Sequence, residues 1–241
     1  MIGQIYHIIF YQPIFNALVW FYNVIPGHDV GIAIILVTIV LKLILYPFSA
    51  QSIHAQKRMQ ELQPKLDGLK DKFKDDKQGL AKATMELYKT EKISPFSSCL
   101  PLLIQFPFLI AVYSVFRNGL VGGEKMNALY SFVNNPGTLD PLSFGILDMS
   151  KPNIILAILA GVAQWWVSKM LIVKKQPSVP GAKDESMTAI MNKQMTIFMP
   201  LMTVFIGISL PSGLALYWLV TTILTGVQQL YTFRVAKKKT L

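Results

Sequence analysis

The sequence has 241 residues, of which 52% are hydrophobic and only 15% are charged, and its formal net charge is +10. Ordinary soluble domains are about a quarter charged, so this composition argues against a soluble protein with buried helices. The single cysteine excludes a disulfide framework, and three scattered histidines suggest no metal cluster. Because the sequence also lacks a Gly-rich phosphate-binding motif, we predict no enzyme, no catalytic residue, no metal and no cofactor.

The first 29 residues are apolar and aromatic, with interruptions at Pro13 and Pro26. Trp20 and Tyr22 suit the boundary between lipid and water, so we predict an interfacial helix on the outer face for residues 1–29. A sixth membrane span is the alternative, and Pro13 argues against it. The segment lacks the basic region of a signal peptide, so we expect it to be retained.

Five further stretches are apolar and long enough to cross a bilayer, which takes about 20 residues. The predicted spans are residues 30–50, 94–117, 153–173, 195–210 and 211–233. The last two come from one uncharged stretch, and Pro211-Ser212-Gly213 supplies the turn between them. The expected fold is therefore an all-α integral membrane protein with five transmembrane helices.

The density of lysine and arginine alternates between high and low in successive loops. They are absent before Lys42, frequent in residues 51–93, scarce in the loop 118–152, and frequent again in 174–194 and the tail 234–241. Because positively charged loops stay in the cytosol, we predict an external N-terminus and a basic cytosolic C-terminal tail.

The cytosolic segment 51–93 carries a seam of apolar residues at alternating spacings of three and four, as in a coiled coil. The seam consists of Met59, Leu62, Leu66, Leu69 and Phe73. We therefore predict a cytosolic helical hairpin rather than a solvated loop, with Pro64 kinking or restarting its first arm. The external loop 118–152 is rich in Gly and Pro and predicts an irregular connection with one short helix.

Three motifs combine in one pattern. They are Ile93-Ser94-Pro95 with Cys99 to Pro107, Leu210 to Trp218 followed by Gln228-Gln229, and Leu62 to Lys65 with Leu87-Tyr88-Lys89. Over residues 13–235 this pattern resembles the YidC-type membrane protein insertases and their mitochondrial and chloroplast relatives. One departure concerns the first span, where that family carries an arginine five residues before a proline. Here the proline is Pro47 and the residue is Lys42, which keeps the charge without the planar fork of arginine.

The resemblance implies a hydrophilic substrate groove, open to the cytosol and to lipid. We predict that the groove is lined by polar and aromatic residues of the spans: Lys42, Thr38, Gln105, Gln164, Tyr217, Trp218, Thr222, Gln228 and Gln229. A charge inside a span costs about 2.5–3.5 kcal/mol on insertion scales, so Lys42 is the most informative of these. The alternative is that its long side chain extends to the cytosolic interface.

The function that this resemblance implies is a membrane protein insertase and chaperone in the bacterial cell membrane. Its expected partners are nascent membrane proteins, ribosome–nascent chain complexes, the Sec translocon and the lipid bilayer, with no sequence-specific nucleic acid. One alternative is a small-solute or ion transporter that uses Lys42 as its binding charge. The sequence shows no internal repeat, which argues against that alternative. A non-inserting assembly chaperone is the other alternative.

Overall fold

The computed structural model describes residues 2–73, 76–93, 100–119, 128–171 and 194–238. The helices are α1 Ile2–Tyr6, α2 Gln12–Val24, α3 Val30–Ile44, α4 Tyr46–Lys72, α5 Lys77–Thr90, α6 Leu100–Gly119, α7 Ile154–Met170, α8 Met199–Gly207 and α9 Ser212–Lys238. Single π-helical turns precede α2 and α8, at His7–Tyr11 and Gln194–Phe198.

A small β-hairpin in the predicted external loop is the exception to the helical fold. Strands β1 Leu142–Ser143 and β2 Leu147–Asp148 are antiparallel, with Leu142 opposite Asp148. The prediction of an all-α chain is therefore nearly right. It missed this hairpin because strands of two residues have too few positions to show an alternating pattern.

The core lies where α2, α3, α6 and α9 meet. Phe15 and Val19 of α2 are fully buried there, together with Ile34 of α3 and Val115 of α6. The apolar side of α2 thus packs against other helices of the bundle. On the other side of α9, a Cβ at Gly226 would lie 2.2 Å from the Trp166 ring, so the missing side chain lets α7 and α9 pack closely.

The first predicted span, 30–50, contains a sharp bend. Helix α3 ends at Ile44, and α4 continues from Tyr46 at an angle of 69°. Pro47 accounts for the break, because it has no backbone N–H and its ring would clash with the carbonyl four residues earlier. Pro64, by contrast, lies inside α4, which is helical throughout, so this proline does not restart the helix.

Helix length and hydropathy give partial support to the prediction of a membrane protein. Among the described residues, Ser212–Arg234 is the one stretch that is long and apolar enough to span a membrane as a single helix. Helices α3 and α4 pass the same test only together, as a bent pair. Ile154–Met170 and Gln194–Gly207 are apolar but shorter.

Helices α4 and α5 contact each other, and α4 carries the predicted apolar seam. Met59, Leu62 and Leu66 are buried, whereas Leu69 and Phe73 are partly exposed. Lys65 of α4 forms an ion pair with Glu91 just after α5. The periodicity thus identified the buried side of α4 correctly, and this pair of helices buries few residues.

Asp29 connects the β-hairpin to the start of α3 through hydrogen bonds. Its carboxylate caps α3 by accepting the Ile32 N–H at 3.0 Å, and it also accepts the Ser143 hydroxyl and the Phe144 N–H, the latter at 2.6 Å. Burial acts to raise the pKa of Asp29, but these hydrogen bonds outweigh it and hold the pKa below its ordinary value. The ionised carboxylate therefore stabilises the end of the bundle that carries the β-hairpin.

We expect Asp29→Ala to destabilise the protein by about 1 kcal/mol or more, which is the typical cost of losing a helix N-cap. The Asp29 contribution should also depend on pH. Because the folded pKa lies below the ordinary 3.8, the stabilisation is complete above that pH and is lost as the pH falls through the folded pKa. Unfolding midpoints in detergent, measured from neutral to acidic pH, should show this loss in the wild type and not in Asp29→Asn.

Asp67→Asn is the matched control, since Asp67 pairs with Lys70 on the surface of the helical hairpin at 3.2 Å. Exposed pairs of this kind contribute little to stability. An Asp29→Asn protein with the full acid sensitivity of the wild type would contradict the assignment.

Candidate functional site

Helix α9 carries polar side chains along one face. They recur every three or four residues, so they lie one above another on the helix. We call this set the polar stripe: Tyr217, Thr221, Thr225, Gln228 and Thr232. The stripe extends over about four turns, or roughly 22 Å along the helix axis. Three other helices supply polar partners to it at different heights.

Lys42 of α3 contacts the middle of the polar stripe. Its Nζ donates to the Thr225 hydroxyl at 2.8 Å, and that hydroxyl donates to the Thr221 carbonyl, also at 2.8 Å. Within the described ranges the ion pairs join other lysines to carboxylates, and none of them includes Lys42. The half-buried ammonium group is therefore held by neutral groups, and its charge is not compensated.

The contact between Lys42 and Thr225 joins α3 and α9 at similar depth. Both helices begin beside the β-hairpin, and Lys42 lies twelve residues after Val30, while Thr225 lies thirteen after Ser212. The Lys42 side chain thus points across to α9 and not along α3 towards its C-terminal end. This orientation differs from the alternative in which Lys42 extends to the interface.

The end of the polar stripe nearer the β-hairpin, which is the outer end in the predicted topology, holds a buried pair of polar side chains. Gln105 of α6 donates its amide to the Tyr217 hydroxyl, and Tyr217 is only 3% exposed. Thr38 is also buried, and its hydroxyl donates to the Ile34 carbonyl at 2.6 Å. Thr38 and Tyr217 both line a small cavity whose other walls are apolar, including Leu18. Thr38 is therefore brought close to Tyr217, in dry surroundings.

The opposite end of the polar stripe, which is the inner end in the predicted topology, meets the bend between α3 and α4. The Ser49 hydroxyl donates to Gln228 Oε1 at 2.6 Å, and Gln228 Nε2 faces the Tyr46 carbonyl at 3.5 Å. The predicted set of nine residues omitted Ser49 and Thr225. Their spacing was a usable signal, because Ser49 lies seven residues after Lys42 and Thr225 lies eight after Tyr217.

Several buried oxygen atoms near the inner end lack hydrogen-bond partners among the described residues. They belong to Ser52 and Gln56 on α4 and to Gln229 on α9. Ser52 and Gln56 lie three and seven residues after Ser49, so they share its side of α4. Buried acceptors of this kind are normally satisfied by water or by another donor. The inner end is thus suited to receiving polar groups.

The other predicted residues lie beside or away from the polar stripe. Trp218, Thr222 and Gln229 lie on the side of α9 that turns from the stripe towards α7. Gln164 lies on α7, one helical turn from Gly161, which contacts α8. Within the described ranges, no group of three or more His, Cys, Asp or Glu residues is arranged to hold a metal ion.

Sequence comparisons identify the family. The family model described as 60Kd inner membrane protein matches residues 20–239. Curated relatives named membrane protein insertase YidC include those of Tolumonas auensis, 33% identical over 95% of this chain, and Methylobacillus flagellatus, 39% identical over 88%. The YidC of Clostridium tetani is 33% identical over 92% of this chain.

The relatives differ in length. This chain spans 37% of the Tolumonas auensis protein and 34% of the Methylobacillus flagellatus protein, but 94% of the Clostridium tetani protein. The family model and the relative of matching length lead to the same assignment. The chain belongs to the 60Kd inner membrane protein family, that of the YidC-type membrane protein insertases.

Proposed function

We propose that this protein is a membrane protein insertase and chaperone that moves nascent segments into the bilayer. The observation that carries the proposal is the Lys42 cation, which among the described residues is held by the Thr225 hydroxyl of the polar stripe and forms no ion pair with a carboxylate. Relatives named membrane protein insertase YidC support the same function. A transporter would need a path to both sides, whereas the outer end of the stripe is closed by the pair of Gln105 and Tyr217.

The mechanism needs no covalent chemistry. An acidic or polar segment of a client enters from the cytosol and exchanges its water for the hydroxyl and amide groups of the polar stripe. Lys42 attracts carboxylates there, because a charge pair is stronger at low effective dielectric than in water. The apolar segment of the client moves into lipid, driven by burial of its apolar surface. Lys42 then returns to Thr225, a neutral partner that competes weakly with a carboxylate.

The proposed topology has five spans, with the N-terminus outside and the C-terminus inside, in a bacterial inner membrane. In this topology α2 lies at the outer face, and the helical hairpin α4–α5 and the basic tail lie in the cytosol. The proposed partners are nascent membrane proteins, ribosome–nascent chain complexes and the Sec translocon. The loop charges support the orientation, because positively charged loops remain inside.

A non-inserting assembly chaperone is the second candidate, since the same stripe would bind clients without releasing them into lipid. Reconstitution with a single-span client separates the two. An insertase integrates the client into empty liposomes without added translocon, whereas a chaperone only protects it from aggregation.

Reversing the charge of Lys42 should selectively impair the insertion of clients with acidic segments. We expect Lys42→Glu to reduce insertion of a client with an acidic leading segment at least tenfold, since an unfavourable change of about 1.4 kcal/mol suffices for that factor. Lys42→Arg should remain near wild type. A client whose leading carboxylates are replaced by lysines should be inserted better by Lys42→Glu than by the wild type.

Lys169→Glu is the control for the charge change, because Lys169 lies over the Trp165 ring on α7 at 4.6 Å. This variant should discriminate little between the two clients. If Lys42→Glu inserts both clients as the wild type does, the electrostatic role is excluded.

Water should reach the polar stripe from the cytosolic side only. In a Cys99→Ser background, single cysteines at Gln228 and Thr225 should react with a charged thiol reagent added from inside. Tyr217→Cys should react slowly, since that position is buried, and dry surroundings suppress the thiolate. Labelling should fall when a stalled client occupies the groove.

Val227→Cys is the matched control for labelling, because Val227 neighbours the polar stripe on α9 but is 54% exposed, on what we propose is the lipid side. It should stay unlabelled from both sides. Equal labelling of the stripe from outside and inside would indicate a channel through the membrane and would reject the closed outer end.

The helical hairpin should be accessible to protease in inside-out vesicles. Its α4–α5 interface buries few residues, so cleavage near Gly68 or Gly79 is expected before cleavage in the spans. Protection there, with cleavage in right-side-out vesicles instead, would reverse the proposed orientation.

A further inference from the structure

The tip of the β-hairpin exposes apolar side chains. Ile146 is 81% exposed, whereas Ser143 and Met149 beside it are completely buried. Phe144 and Leu142 are each about half exposed. The hairpin therefore has a buried polar base and an exposed apolar tip, the reverse of what a hairpin surrounded by water would show.

The turn holds Phe144 in an unusual backbone conformation. The Ile146 N–H donates to the Ser143 carbonyl at 3.2 Å, and φ is +52° at Phe144 and +72° at Gly145. Two successive positive φ angles are typical of a type I′ turn, which strongly favours Asn, Asp or Gly at its first central position. A bulky residue there is strained, and strain of this kind points to a function of the side chain.

Hydrogen bonds hold the strained turn rigidly in place. Besides accepting the Phe144 N–H, Asp29 accepts the Ser143 hydroxyl, and Ser143 Oγ in turn accepts the Gly31 N–H at 3.1 Å. At the other strand, the Ser212 hydroxyl donates to the Asp148 carbonyl at 2.7 Å. The first turns of α3 and α9 therefore fix the height of the tip.

This height corresponds to the outer boundary of the proposed spans. Helix α7 begins at Ile154, six residues after the hairpin, and Ile154 and Ile155 are both more than 60% exposed. Exposed apolar residues continue along α7 as the surface proposed to face lipid: Ile158, Leu159 and Val162. The exposed Lys151 is paired with Asp148 at 2.8 Å. The apolar surface of the tip thus continues along α7, while the Asp29 carboxylate is hydrogen-bonded to the backbone of the turn.

We infer that the β-hairpin tip, formed by Phe144, Gly145 and Ile146, inserts into the outer headgroup region of the bilayer as a lipid anchor. Aromatic side chains concentrate at that depth, where an apolar ring meets both lipid and water. The anchor holds the outer ends of α3 and α9 at the membrane surface. The inference rests on the proposed spans for the depth of the tip, and it does not require insertase activity.

Spin-label accessibility tests the anchor in the full chain. Nitroxides are attached at single cysteines in a Cys99→Ser background, in liposomes of phosphatidylethanolamine and phosphatidylglycerol. Collisions with oxygen report lipid, and collisions with a charged nickel chelate report water. Ile146 should have a several-fold higher oxygen-to-chelate ratio than Thr138, an exposed polar residue of the same loop. Val162 on α7 provides the hydrocarbon reference.

The pattern of the three labels separates the possible failures. A ratio at Ile146 equal to that at Thr138, with Val162 in hydrocarbon, overturns the anchor and leaves the spans intact. Aqueous values at all three positions overturn both the anchor and the proposed topology. A tip that becomes dry only after a partner protein is added also overturns the lipid anchor, in favour of protein docking.

Phe144→Asn provides an independent measurement. Asparagine suits the positive φ, so the unfolding midpoint in detergent should rise. In liposomes the label at Ile146 should become several-fold more accessible to the chelate. A stabilised variant whose label keeps the wild-type accessibility would show that the Phe144 ring does not hold the tip in lipid and would overturn its role in the anchor.

Discussion

The hydrogen bond between Lys42 and Thr225 is the interaction on which the site depends. A hydroxyl satisfies one ammonium proton and leaves the full charge in place, whereas a carboxylate would have neutralised it. Keeping a cation half-buried without a counter-ion is costly, and the polar stripe reduces that cost by surrounding it with dipoles. The same dipoles are weak competitors for an incoming carboxylate. The site can therefore hold the Lys42 cation at a limited cost in stability and still attract a carboxylate reversibly.

The two ends of the polar stripe differ in a way that follows from their partners. At the outer end, Gln105 and Tyr217 satisfy each other beside a small cavity with mostly apolar walls. At the inner end, side-chain oxygens of Ser52, Gln56 and Gln229 are left without partners among the described residues. Unsatisfied acceptors favour hydration.

Periodicity and charge predicted the helical fold, and motifs predicted the family. The buried side of α4 followed from spacings of three and four, which reflect the geometry of one helix. The contact between Asp29 and Ser143 was not predicted, because a polar residue in a sequence does not reveal which neighbour it faces. Their contact joins residues more than a hundred positions apart, and no local pattern encodes it. The break at Leu45 was foreseeable from Pro47, but its angle depends on tertiary packing.

The bend between α3 and α4 has a mechanical consequence. Helix α4 extends for 27 residues beyond Leu45, which makes a rigid arm of about 40 Å. Rotating such an arm by about 5° about the bend displaces its far end by roughly 3.5 Å. Lys42 lies only three residues from the pivot, so the same rotation barely moves it. The contact between Ser49 and Gln228 lies just beyond the pivot and resists the rotation with little leverage. A rotation of α4 about the bend is thereby strongly reduced in amplitude at Lys42.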